Sequence, residues 1–97
     1  VFFDLMYVNQ HLHHQYVFLR RSGNDLLLVA VNFDGNEADI SVNIPVHAFD
    51  YLQMKERKGV ATDILHSNVK MTILFKPDNA VRMTIPAYGA RVWKMKA

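Results

Sequence analysis

Three short segments alternate between apolar and polar residues with a period of two, and this most constrains the fold. In "ADISVNI", Ala38, Ile40, Val42 and Ile44 fall on one side and Asp39, Ser41 and Asn43 on the other. In "VKMTILF", Val69, Met71, Ile73 and Phe75 oppose Lys70, Thr72 and Lys76. In "VRMTI", Val81, Met83 and Ile85 oppose Arg82 and Thr84. Successive side chains of a strand point to opposite faces, so each segment reads as a half-buried strand. A helix cannot keep such a pattern on one side.

Turn signals punctuate the runs. "SGND" separates "YVFLRR" from "LLLVAVNF". Asp34-Gly35-Asn36 reads as a hairpin turn, because Asp and Gly both tolerate positive φ. "KPDN" places Pro77 at the first central position of a turn. "IPAYG" precedes the last strand. About eight strands joined by short turns predict an all-β fold, an antiparallel Greek-key-like β-sandwich. One stretch departs from period two. Pro45 followed by Ala48, Phe49 and Leu52 at helical spacing predicts a short helical turn near residues 46–52, covering one end of the sandwich.

A chain of 97 residues is one domain, and 51% hydrophobic content suffices for a core. Nothing approaches the roughly 20 apolar residues of a membrane-spanning helix. The net charge of +2 and a single basic cluster, "KERK", interrupted by Glu56, exclude a broad nucleic-acid footprint. Without cysteine there is no disulfide, and the redox compartment is not encoded. The chain opens on "VFFDL" without an initiator Met. The expectation is a single domain, residues 1–97, excised from a longer protein.

Two strands are apolar on both sides. Leu26, Leu28 and Ala30 oppose Leu27, Val29, Val31 and Phe33, and Ala90 and Val92 oppose Trp93 and Met95. A two-sheet sandwich buries only the inner face of each sheet. Either a loop or the short helix covers the second face, or a domain outside the chain does. Leu27, Val29, Val31, Phe33, Trp93 and Met95 are the domain-docking candidates.

The order of the segments carries further information. "FFDLMYVN", "YVFLRR", "LLLVAVNF", "VNIP", "ATDIL" and "IPAYGARVWK" run from end to end of the chain. Together they resemble the C-terminal β-sandwich domain (domain C) of the α-amylase family of glycoside hydrolases, in particular its bacterial starch- and maltodextrin-degrading members. The shared features are the Arg-bearing strand, the apolar strand ending in Asn32, and the closing strand after Pro86. "ATDIL" is similar to the family's "DLLTG"-type strand, with "HSN" at residues 66–68 replacing Thr-Gly. The resemblance implies an upstream (β/α)8 catalytic barrel as partner, a parent acting on α-glucans, and no cofactor. It carries no catalytic residue over, because the family's Asp and Glu catalysts sit on the barrel.

The chain's own residues supply no acid/base pair, which needs carboxylates roughly 5–10 Å apart across a cleft. Asp25, Asp34 and Asp78 lie in turns. Asp4 and Asp63 lie within strands, where pairing with Arg20 or Arg91 is expected. Ser22 and Ser67 read as turn residues and Ser41 as outward-facing, with no "GxSxG" motif. Sugar contacts need exposed aromatics. Trp93 and Tyr88 are the leading carbohydrate-binding candidates, followed by Tyr7, Tyr16 and Tyr51. His11, His13 and His14 in "NQHLHHQ" have a spacing able to offer two or three imidazoles to zinc. Nothing nearby except the distant Asp4 completes a tetrahedral set, so the stretch reads as a strand connector and no metal site is assigned. Three functions remain: a structural accessory domain docked on a barrel, an autonomous α-glucan-binding module, and an immunoglobulin-like adhesion sandwich.

Overall fold

The computed structural model describes residues 2–66 and 69–96. The turn expected at Ser67 and Asn68 lies outside them. Eight strands form among the described residues: β1 (Phe2–Asp4), β2 (Gln15–Ser22), β3 (Asp25–Asn32), β4 (Ala38–Val42), β5 (Arg57–Asp63), β6 (Lys70–Phe75), β7 (Val81–Ile85) and β8 (Ala90–Lys96). A six-stranded antiparallel sheet has the order β1-β2-β3-β8-β5-β6, and β4 pairs with β7 in a second, two-stranded sheet. The expected all-β sandwich is therefore present. β8 inserts between β3 and β5, a non-sequential return.

The period-two segments behave as their pattern dictates. β4 and β7 place Ala38 opposite Ile85, Ile40 opposite Met83 and Val42 opposite Val81, all turned inward. Asp39 and Arg82 face solvent, 3.4 Å apart. The inner side of the large sheet supplies Val17, Leu19, Leu26, Leu28, Ala30, Ala61, Ile73 and Phe75 to the same core. The helix α1 (Val46–Tyr51) starts after Pro45 and buries Ala48 and Phe49. Arg21 fixes its end, donating to the carbonyls of Leu52 (3.0 Å) and Gln53 (2.6 Å).

Two expectations need correction. First, "FFDLMYVN" is not one strand: β1 ends at Asp4 and a 3-10 turn spans Met6–Val8. The Asp4 carboxylate accepts the Met6 N–H at 2.8 Å, and local side-chain bonding of this kind competes with a strand ladder. Buried Asn9 completes the bend. Its amide donates to the carbonyls of Leu5 (2.7 Å) and Asn43 (3.0 Å), and its Oδ1 accepts the Asn43 N–H (2.8 Å).

Second, Asp34-Gly35-Asn36 closes no hairpin, because β3 and β4 belong to different sheets. Gly35 is not in the left-handed region. It is small for another reason: a Cβ there would lie 3.0 Å from the Tyr88 hydroxyl. Two other expected turns do form, and both carry the chain between sheets. Asn79 N–H donates to Lys76 O (3.1 Å), with Pro77 at the first central position and Asp78 at φ 62°. Gly89 N–H donates to Pro86 O (3.0 Å), with Tyr88 at φ 51°. Ser22–Asp25 closes a tight hairpin between β2 and β3, and its Gly23 takes φ 60° without steric cost.

Candidate functional site

Strand register decides which candidates share a surface. On the outer side of the large sheet, Val29 lies between Phe18 and Val92, and Val31 between Tyr16 and Ala90. Leu27 sits between Arg20 and Lys94. Phe2 meets Phe18 with the rings tilted and their centroids 4.8 Å apart, and Tyr16 lies 5.6 Å from Phe18. Burial and the Asp4 carboxylate push the Tyr16 phenol above its ordinary pKa. Leu27, Val29 and Val31 are half-buried and stand outside the core. The short helix does not cover them. It packs on the other side, where Tyr51 meets Phe3 at 5.8 Å and Phe3 packs against the core.

Trp93 and Met95 are not on this face. They are 4% and 6% exposed, opposite Leu28 and Leu26 on the inner side. Gly59 leaves room for Met95, whose Cε would lie 2.7 Å from a Cβ added there. Both residues therefore leave the docking set, and Trp93 offers no ring to a sugar. Val92 takes their place on the outer face. The signal was present in the sequence: Lys94 and Lys96 alternate with Trp93 and Met95, and such lysines mark the solvent side. Phe33 is 64% exposed at the end of β3.

Among the aromatics, Tyr88 is 77% exposed, with its N–H donating to Asp34 O at 3.0 Å. Tyr7 and Tyr51, separate in sequence, flank Phe3 with centroids 5.9 and 5.8 Å from it, and both are exposed. A sequence pattern gave no hint of this grouping, because it depends on the 3-10 turn and the helix meeting.

Asp63 is fully buried and holds together the end of the core. Its Oδ2 accepts from Arg91 Nη1 (3.0 Å) and His66 Nδ1 (2.9 Å), and its Oδ1 from the N–H groups of Leu65 (3.0 Å) and Val92 (3.3 Å). Burial alone raises its pKa. The Arg91 and His66 hydrogen bonds, with the two N–H groups, outweigh that and hold it below the ordinary value. Arg91 also donates to Thr84 O (2.9 Å), tying β8 to β7 across the sandwich. The expected Asp63–Arg91 pair is thus formed, whereas Asp4 serves its local turn. Asn32, buried, makes the other cross-link. Its amide donates to the carbonyls of Asn36 (2.9 Å) and Pro86 (3.1 Å), and its Oδ1 accepts from Gln15 and from Asp34 N–H.

The histidines diverge. His11 Nε2 donates to Ser41 O (3.1 Å) and His14 Nδ1 to Asp34 Oδ2 (2.9 Å). The His14 hydrogen bond lowers the Asp34 pKa, with help from Asn36 N–H. No group of three His, Cys, Asp or Glu among the described residues is arranged to hold a metal.

The site residues thus fall into two kinds: buried polar side chains that cross-link the sheets, and an apolar strip on the outer side of the large sheet. Comparison with known families places the chain. Residues 7–96 match the family described as "Alpha amylase, C-terminal all-beta domain", and the chain belongs to it. That membership replaces the adhesion alternative. Comparison with curated protein sequences yields no match. Among solved structures, α-galactosidase I from Mortierella vinacea is similar, with a TM-score of 0.60 and 15% identity. The similarity covers 86% of this chain and 21% of that protein, so the chain spans about a fifth of its length. At this identity the likeness concerns the fold alone.

Proposed function

We propose that the chain is the non-catalytic C-terminal domain of an α-amylase-like hydrolase acting on α-glucans such as starch or maltodextrin. The outer face of its large sheet docks on the upstream (β/α)8 barrel and stabilises it. The observation that carries this reading is the outer apolar face around Leu27, Val29, Val31, Phe18 and Val92, which the chain's own helix leaves uncovered. A contiguous apolar patch of this kind marks an interaction surface. Phe33, exposed just past the end of β3, is assigned to the same surface. The test is Val29→Glu in the isolated chain and in the full-length parent. The isolated chain stays folded and loses no more than about 1 kcal/mol, because Val29 is half-buried and outside the core. The parent's barrel melts earlier and sheds the domain. Unchanged melting of the parent overturns the docking role.

A second reading, an autonomous α-glucan-binding module, is favoured by the Tyr7–Phe3–Tyr51 cluster and by exposed Tyr88. Retardation of the chain in a starch-containing native gel, abolished by Tyr7→Ala with Tyr51→Ala or by Tyr88→Ala, supports it. Mobility unaffected by starch ends it.

A further inference from the structure

At the end of the sandwich where α1 meets the β2–β3 hairpin, two grooves share Arg21 and Gln53. The larger, of about 580 Å³, is lined by Arg21, Gln53, Lys55, Glu56, Arg57 and Lys58. The smaller, of about 350 Å³, is lined by Arg21, Gly23, Tyr51, Leu52 and Gln53. Four cations and one carboxylate leave the larger groove with a formal charge of 4 − 1 = +3. Among the described residues none of the four cations is in an ion pair, whereas Lys94 and Lys96 pair with Asp25 and Arg91 with Asp63.

Both guanidiniums are already oriented. Arg21 is held by the carbonyls of Gly23, Leu52 and Gln53, and Arg57 by that of Lys96 at 2.7 Å. Gln53 takes φ 54°, an unfavourable backbone for a non-glycine residue, to bring its carbonyl onto Arg21. These bonds use Nε and Nη1 of Arg21 and Nη1 of Arg57, which leaves the Nη2 donors of both. A fixed guanidinium with free donors suits a phosphoryl group, and flexible lysines add charge. Tyr51 presents an exposed ring in the adjoining groove.

We infer that these paired grooves bind a phosphorylated sugar, its phosphomonoester on Arg21, Arg57, Lys55 and Lys58 and its ring against Tyr51. The site lies beside the helix and uses none of Leu27, Val29, Val31, Phe18 and Val92, so it stands or falls apart from barrel docking. Electrostatic binding at an exposed groove is weak and salt-sensitive.

The test is a titration of the chain with glucose 6-phosphate, inorganic phosphate and glucose, followed by amide NMR at low ionic strength. Glucose 6-phosphate moves the Gln53, Lys55 and Lys58 resonances with a dissociation constant of about 1 mM or below, weakening as salt is added. Inorganic phosphate binds the same groups less tightly, and glucose does not compete. Lys55→Gln with Lys58→Gln, both exposed and outside the core, weakens both anions roughly fivefold or more. Tyr51→Ala brings glucose 6-phosphate down to the level of phosphate. Shifts spread equally over Lys70, Lys76 and Lys94, shifts unaltered by the lysine substitutions, or none at about 10 mM ligand overturn the site. If phosphate matches glucose 6-phosphate in the wild-type chain, the assignment of a sugar is overturned.

Discussion

Replacing Asp63 with Ala strips four donors of their acceptor at once: Arg91, His66 and the N–H groups of Leu65 and Val92. Arg91 is largely buried, with only 17% of its side chain exposed, so its charge is left without a partner away from water. Removing one member of a buried ion pair costs about 3–5 kcal/mol. A domain of this size loses about 4–8 °C of melting midpoint per kcal/mol, so the midpoint falls by at least about 12 °C. The replacement pair Asp63→Leu with Arg91→Met removes both charges and should cost less than the sum of the single substitutions by about 1 kcal/mol or more. The pH dependence has a definite sign. The folded carboxyl lies below its ordinary value of 3.8, so its contribution is complete above that value and is lost as pH falls through the folded one. Asp63→Asn therefore flattens the acid limb of the stability curve. Urea titrations from pH 7 down to about pH 3, read by circular dichroism, measure all of this. An Asp63→Ala midpoint within a few degrees of wild type, with an unchanged acid limb, refutes the reasoning.

Two further outcomes follow from the packing. Trp93→Ala destabilises the chain by about 3–5 kcal/mol, measured by denaturant unfolding. Trp93→Phe costs far less, because it also removes an indole N–H that is buried without an acceptor among the described residues. Calorimetry with Zn²⁺ at neutral pH gives no heat at micromolar metal, since no three His, Cys, Asp or Glu among the described residues are arranged to hold an ion.

Much of the fold was legible because three strands bury one side only. Their alternation fixed β4, β6 and β7 and the inward residues of each. Where both sides of a strand are apolar, alternation leaves the phase open. β3 was phased correctly, with Leu27, Val29 and Val31 outward. β8 was phased wrongly for Trp93 and Met95, although Lys94 and Lys96 carried the answer. Bends and cross-links were harder. The Asn9 contact with Asn43 and the Asn32 contact with Pro86 join residues far apart in the chain, and no local pattern encodes them. The same holds for the Tyr7–Phe3–Tyr51 cluster and for the cation-lined groove. "KERK" reads only as a basic cluster interrupted by Glu56 until the helix end brings Arg21 and Gln53 beside it.

Docking of the outer sheet face on a catalytic barrel is most directly tested by the reactivity of a single thiol there. The chain has no cysteine of its own, so Val29→Cys places one label site on that face, and Arg82→Cys on the small sheet serves as control. Alkylation is followed by mass spectrometry of the labelled peptide, in the isolated chain and in the full-length parent. Docking predicts that Cys at 29 reacts at least about tenfold more slowly in the parent, equivalent to roughly 1.4 kcal/mol of protection, while Cys at 82 reacts alike in both. Equal rates at position 29 in the two proteins contradict it.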